Sequence, residues 1–184
     1  SLAIAGATVK ATPQETTINA DILLTVVTDD TALRAVLFGQ QGALINAKIV
    51  PLVIDFGTHN PESLLAIAHE VNARGAFFVE APMTGSVHDA KHGTLSFLVA
   101  AETSAYHVGK PFLEKLGKSA FHFGLPGAGN TAKLALNLLI GAMTQGLSEA
   151  IAMLNAAHLN VSDFLQALDN SGLSSPLYRR VGQR

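Results

Sequence analysis

The sequence predicts an α/β fold, an open and mostly parallel sheet that runs into one long helix and the start of an all-helical region. Three observations predict it. Short apolar runs with β-branched members alternate with segments of helical spacing over the first two thirds of the chain. Glycine, proline and acidic residues punctuate that alternation where strands and helices should stop and start. Beyond Gly129 the alternation ends, and Asn130 to about Ala157 reads as one uninterrupted helix, well above the globular mean of roughly 12 residues.

Taken in order, Ile22 to Val27 (ILLTVV) is a continuous apolar run that suits a strand buried on both faces. Asp29 and Asp30 start a helix over TALRAVLF, which ends at Gly39. Lys48 to Asp55 (KIVPLVID) is a second strand, and Pro51 delays its extended part. Thr58 to Pro61 opens the next helix, with Pro61 and Glu62 in its first turn and Leu65, Ala68, His69 and Asn72 at helical spacing before Gly75. Phe77 to Glu80, Leu95 to Ala100 and Ala120 to Phe123 are further strands, and Ala105 to Leu116 is a helix closed by Gly117. A last helix runs from Ser162 to about Leu168. The break Gly124-Leu-Pro-Gly-Ala-Gly129 divides the chain into a sheet domain, 1–126, and a long helix with a partial helical domain, 127–184.

Composition narrows the function classes. Of 184 residues 48% are apolar and 14% charged, which excludes disorder. Twelve Lys+Arg against fourteen Asp+Glu leave a net charge of −2 with no basic run, so no nucleic acid and no anionic membrane surface is expected as a partner. The absence of cysteine excludes disulfides, thiolate chemistry and Cys-ligated metals. With no export signal at the amino end, a cytoplasmic location is expected. Leu134 to Leu154 is mostly apolar, but Asn137, Gln145, Ser148 and Glu149 interrupt it. A carboxylate at a bilayer centre costs roughly 2.5 kcal/mol or more, so a helix buried inside protein is expected rather than a membrane span. So apolar a chain, with so few charges, is also expected to cover some helix surface with another copy of itself, as a homo-oligomer.

Three stretches could carry chemistry. Asp55-Phe-Gly-Thr58-His-Asn-Pro61 follows a strand, where ligands of open α/β sheets lie, although Thr58 or Asn60 could merely cap the next helix. Glu80-Ala-Pro-Met-Thr84-Gly85-Ser86 sets two hydroxyls around a glycine and could surround a carboxylate, or be a plain turn. In Gly127-x-Gly129-x-x-x-Lys133-x-x-x-Asn137, Lys133 and Asn137 project from one helix face. Near a helix N-terminus and in apolar surroundings, Lys133 would exchange a proton more readily than a solvated lysine. No charge occurs in the ten residues after it, so this turn is expected to be buried. The partial match of this stretch to a dinucleotide fingerprint is rejected, because the helix runs on past Glu149 with no next strand. His88 and His92 lie four apart in HDAKHG, which reads as an exposed loop, and no metal site is assigned. The other histidines receive no role.

In order and spacing these stretches resemble the β-hydroxyacid dehydrogenase family, which includes 3-hydroxyisobutyrate dehydrogenase and tartronate semialdehyde reductase. The likeness runs across nearly the whole chain. A strand ending in a Met-Leu-Pro-like loop is similar to Thr25 to Asp29, Asp-x-Ser-Thr-x-x-Pro to Asp55 to Pro61, and Asp-Ala-Pro-Val-Ser-Gly-Gly to Glu80 to Ser86. Gly93-Thr94-Leu95 matches, as does Gly-x-Gly-x-x-x-Lys-x-x-x-Asn at every defined position of Gly127 to Asn137. The resemblance implies a partial Rossmann-like sheet and an NAD- or NADP-dependent hydride transfer on a small 3-hydroxy acid or its semialdehyde. It implies Lys133 as general acid/base, Asn137 on the substrate oxygen, and Thr84, Gly85 and Ser86 around the substrate carboxylate. Val27, Thr28 and Thr58 would line the nicotinamide end of the cofactor.

The chain departs from the family at Thr28 for Pro, Gly57 for Ser, Thr84 for Ser and Ser86 for the second Gly. It is also expected to start after the family's first strand and G-x-G-x-x-G turn, and to stop at Arg184 inside the helical domain. That start would leave a sheet edge open and calls for a longer polypeptide, self-association, or a role without a dinucleotide. The alternative to an enzyme is therefore a non-catalytic oligomeric remnant that binds a small carboxylate.

Overall fold

A computed structural model describes residues 3–45 and 51–181 of the protein. Along them run α1 (Pro13–Thr16), β1 (Ile22–Thr25), α2 (Asp30–Phe38), β2 (Leu52–Asp55), α3 (Pro61–Ala73), β3 (Phe77–Glu80) and β4 (Met83–Thr84). Then follow α4 (Val87–Lys91), β5 (Leu95–Val99), α5 (Thr103–Leu116), β6 (Gly117–His122), α6 (Ala128–Ala156), α7 (Val161–Asp169) and α8 (Pro176–Val181). The α/β class and the mostly parallel sheet are as the sequence predicts. β1, β2 and β3 form a parallel sheet in that order. In a second sheet β4 runs antiparallel to β5 and β5 parallel to β6, and a bridge from Glu80 to Ala100 joins the two sheets.

Both faces of β2 are covered, which is why it reads as a continuous apolar run rather than an alternating one; β1 stops at Thr25 and Leu24 is 48% exposed, so the expected strand over Ile22 to Val27 with both faces buried does not hold. Val53 and Phe78 pack on one face with Leu33 and Leu37 of α2 and Leu64, Ile67 and Val71 of α3. Leu52, Ile54 and Val79 pack on the other with Phe97, Val99, Ala105 and Leu113. α2 is capped by Asp29, whose side chain accepts the Ala32 N–H, and ends at Gly39. α3 is capped by Asn60, with Pro61 in the first turn. Thr58 therefore does not cap it.

Some expectations change. Lys48 to Val50 lie outside the described residues, and β2 begins at Leu52, after Pro51. β6 starts at Gly117 rather than Ala120, because the glycine that stops α5 is itself extended and leads straight into the strand. His88 to His92 belong to or flank α4 instead of an exposed loop: Ser86 and Asp89 form a capping box, a local signal that nucleates even a short helix.

Contacts divide the chain into Ser1–Lys133 and Leu134–Arg184. The glycine-rich break at 124–129 falls inside the first unit. In the second, the expected burial of α6 does not hold: Leu138 is 73% exposed and Met153 74%. By length and composition α6 could cross a membrane. Periodicity specifies a helix that gains from cover without specifying which polypeptide supplies it, and α7 and α8 have 9 and 6 residues against its 29.

Candidate active site

The carboxyl edge of the first sheet is polar and buried. Thr25, Asp55 and Glu80 end β1, β2 and β3, stand side by side in register, and are all buried. Two carboxylates on a dry sheet edge need donors, since an unpaired buried charge costs several kcal/mol. Asp55 Oδ1 accepts the Thr25 hydroxyl at 2.6 Å, and Oδ2 accepts the Gly57 N–H at 3.2 Å. Glu80 accepts the backbone N–H groups of Gly127 and Asn130 and, at 2.9 Å, the Asn130 side-chain amide. The first turn of α6 is thereby tied to the end of β3. Burial pushes the Glu80 carboxyl above its ordinary range, and the neighbouring Asp55 charge adds to that, against the three hydrogen bonds that favour ionisation.

His59 completes the network. Its ring is fully buried between two carboxylates, with Nδ1 at 3.1 Å from Asp30 Oδ1 and Nε2 at 3.1 Å from Asp55 Oδ2. The Nε2 approach lacks hydrogen-bond alignment and acts through charge. The His59 backbone N–H donates to Asn130 Oδ1 at 2.7 Å, so buried Asn130 links His59 to Glu80. Burial alone would lower the His59 pKa, but the contacts and charges of Asp55 and Asp30 outweigh it and raise it. Burial acts likewise to raise Asp30; the Ser63 hydroxyl, the Asn60 N–H and His59 hold it below the usual carboxylate range.

The glycines of the Gly-x-Gly-x-x-x-Lys stretch seat α6. Gly127 has φ +97°, a conformation that disfavours any side chain. A Cβ at Gly129 would strike the Leu98 carbonyl oxygen. Both conditions let the helix start lie on the sheet edge. One turn on, Lys133 is half-buried, and burial lowers its pKa. Among the described residues it forms no ion pair. The expected burial of this turn is only partial, since Thr131, Leu134 and Ala135 are exposed. Asn137 is exposed and falls in the second unit.

The loop after β3 is organised by its own carboxylate. Thr84 ends β4, opposite Ser96 of β5. Gly85 has φ +139°, and a Cβ there would meet Leu95 at 2.8 Å. Ser86 donates its N–H and its hydroxyl to Asp89 Oδ2, at 2.7 and 2.6 Å, and Thr94 donates to Oδ1 at 3.0 Å. These bonds hold the half-buried Asp89 carboxyl well below its usual range. The two Ser86 donors expected for a substrate carboxylate thus already serve an internal one. His88 and His92 stack with centroids 4.0 Å apart.

Beyond the sheet edge Thr28 and Thr58 are exposed and Val27 is half-buried. A cavity of about 350 Å³ beside β1 is lined by Lys10, Thr12, Leu23 to Val27 and Val36, and of Val27, Thr28 and Thr58 it includes Val27 alone. The sequence reading gave His59 no role and saw in Asn130 only the start of the long helix. The signal that existed was Asp55 and His59 four apart beside a glycine small enough to admit the ring.

The family described as the NAD binding domain of 6-phosphogluconate dehydrogenase matches residues 1–124. Glyoxylate/succinic semialdehyde reductase 2 of Arabidopsis thaliana is 29% identical over 177 residues, 96% of this chain and 49% of that protein. The 3-hydroxyisobutyrate dehydrogenase of Pseudomonas aeruginosa is 33% identical over 134 residues, 73% of this chain and 45% of its own length. The solved 3-hydroxyisobutyrate dehydrogenase of Mycobacterium tuberculosis superposes with a TM-score of 0.85 at 22% identity, covering 95% of this chain and 59% of that one. The chain spans about half the length of the curated relatives it matches.

Proposed function

The chain belongs to the β-hydroxyacid dehydrogenase family through its NAD-binding domain, and on that premise we propose that it serves NAD- or NADP-dependent hydride transfer between the cofactor and a small 3-hydroxy acid or its semialdehyde. The observation that carries the reading is the tie between the sheet edge and α6. Glu80 and Asn130 anchor the helix start, and that start presents Lys133 with a lowered pKa one turn further on. The bound nicotinamide would accept or supply hydride. Lys133 would then hold or return the hydroxyl proton, and Val27, Thr28 and Thr58 would orient the ring. Thr84 and Gly85 would face the substrate carboxylate, with Ser86 released from Asp89 or acting through it, and Asn137 would steady the substrate oxygen.

A homo-oligomer belongs to the same reading, supported by the exposed apolar surface of α6. In the polypeptide that carries this chain, Lys133→Ala should lower kcat for NAD(P)+ reduction by roughly 10²–10⁴-fold with the fold unchanged by circular dichroism. A variant with wild-type kcat would defeat the role of Lys133. Calorimetry with both dinucleotides separates the enzyme from a remnant that binds only small carboxylates, since the remnant would take up neither.

A further inference from the structure

We infer that His59 is a positioning residue which, clamped between Asp55 and Asp30, holds the Gly57–Asn60 loop at the sheet edge in place, so that the surface offered by Thr58 depends on the charge of a buried imidazole. The geometry supports this from four sides. The ring bridges the end of β2 to the first residue of α2, 3.1 Å from a carboxylate oxygen at each nitrogen. The His59 backbone is held by Asn130 of α6, and the Asn60 N–H donates to the same Asp30 oxygen at 3.2 Å. The Nε2 end of the ring abuts Gly57, where a Cβ would collide with it. Thr58 is exposed between two buried neighbours, so it moves only if His59 moves.

Among the described residues the charged groups shown to act on His59 are acidic: Asp55 from β2, Asp30 from α2 and, acting through Asp55, Glu80 from β3. From α3 and α6 come the neutral Ser63 and Asn130. Protonated His59 sets positive charge against both carboxylate neighbours, through a hydrogen bond to Asp30 and a charge contact with Asp55. Neutral His59 has one N–H for the two and leaves negative charge uncompensated in a dry site. With a raised pKa its hold is complete below the ordinary histidine range and is lost as pH rises through its own, higher value.

The effect on cofactor rests on the reading under Proposed function, whereas the clamp does not, so two measurements are needed. In isotope-labelled protein, the His59 ring nitrogens and the Gly57, His59 and Asn60 amides should follow one titration with a midpoint above the usual value for histidine. Hydrogen exchange of those amides, corrected for its intrinsic pH dependence, should rise about tenfold or more through it. His59→Gln should keep the fold and abolish the transition. A ring that is neutral throughout, or a loop whose exchange ignores the ring's titration, would overturn the proposal. NAD(P)H affinity should then fall across the same midpoint in the wild type and stay flat in His59→Gln. If dinucleotide fails to bind at any pH while the loop titrates as described, the cofactor reading fails and the clamp stands.

Discussion

The two loops that follow β3 and β2 are each organised by an aspartate, and they are built in opposite ways. Asp89 is half-buried and takes its donors from Ser86 and Thr94, three to five residues away along the chain. Asp55 is buried, and its network draws on residues 25, 30, 59, 80 and 130, from four helices and strands besides its own. The local device fixes only its own turn. The long-range device fixes where α2, α3 and α6 start relative to the sheet. Under the proposed function, a loop of the first kind would be the one to reshape around a substrate, whereas one of the second kind would hold the cofactor side and the helix that carries Lys133 to a set geometry.

The contrast predicts graded consequences. Glu80→Ala should have the largest effect: it strands three buried donors at the start of α6, and thermal or urea unfolding should show a loss of about 3 kcal/mol or more. A loss under 1 kcal/mol would mean that the α6 start is not held as described. Gly57→Ser should come next, costing about 1–3 kcal/mol by displacing the His59 ring. Combined with His59→Ala it should cost less than the two changes summed, and strict additivity would refute the fit of glycine to ring. Asp89→Asn should have the smallest effect on stability near neutral pH. Because the Asp89 pKa is depressed, its contribution is present above the ordinary carboxylate range and vanishes as pH falls through its own value. The difference in Tm between wild type and Asp89→Asn should therefore disappear in strong acid, and a difference that grows there would contradict the assignment.

Legibility in the sequence followed the same division. Elements set by local pattern were readable: the ILLTVV and FFVE runs, the Asp29 helix start, the Gly39 stop and the length of α6 all depend on residues close in the chain. Lys133 and its glycines were readable as a motif, but the reason for the glycines was not. Gly129 is required by the Leu98 carbonyl and Gly127 by a left-handed turn, and neither partner can be inferred from spacing. His59 was readable only in its spacing from Asp55, 4 residues away; Asp30 lies 29 residues away, and only the parallel register of β1 and β2 with the placement of α2 brings the two carboxylates together. The cover of α6 was misread because apolar spacing carries no information about which surface the helix meets.

The central claim is that the carboxyl edge of the first sheet receives the nicotinamide of a dinucleotide, and chemical-shift mapping with NAD+ and NADP+ on labelled protein tests it most directly. Saturable changes at Val27, Thr28 and Thr58, reaching Gly57 through the loop, are the result expected. No saturable change with either dinucleotide, or changes confined to residues away from that edge, would contradict it.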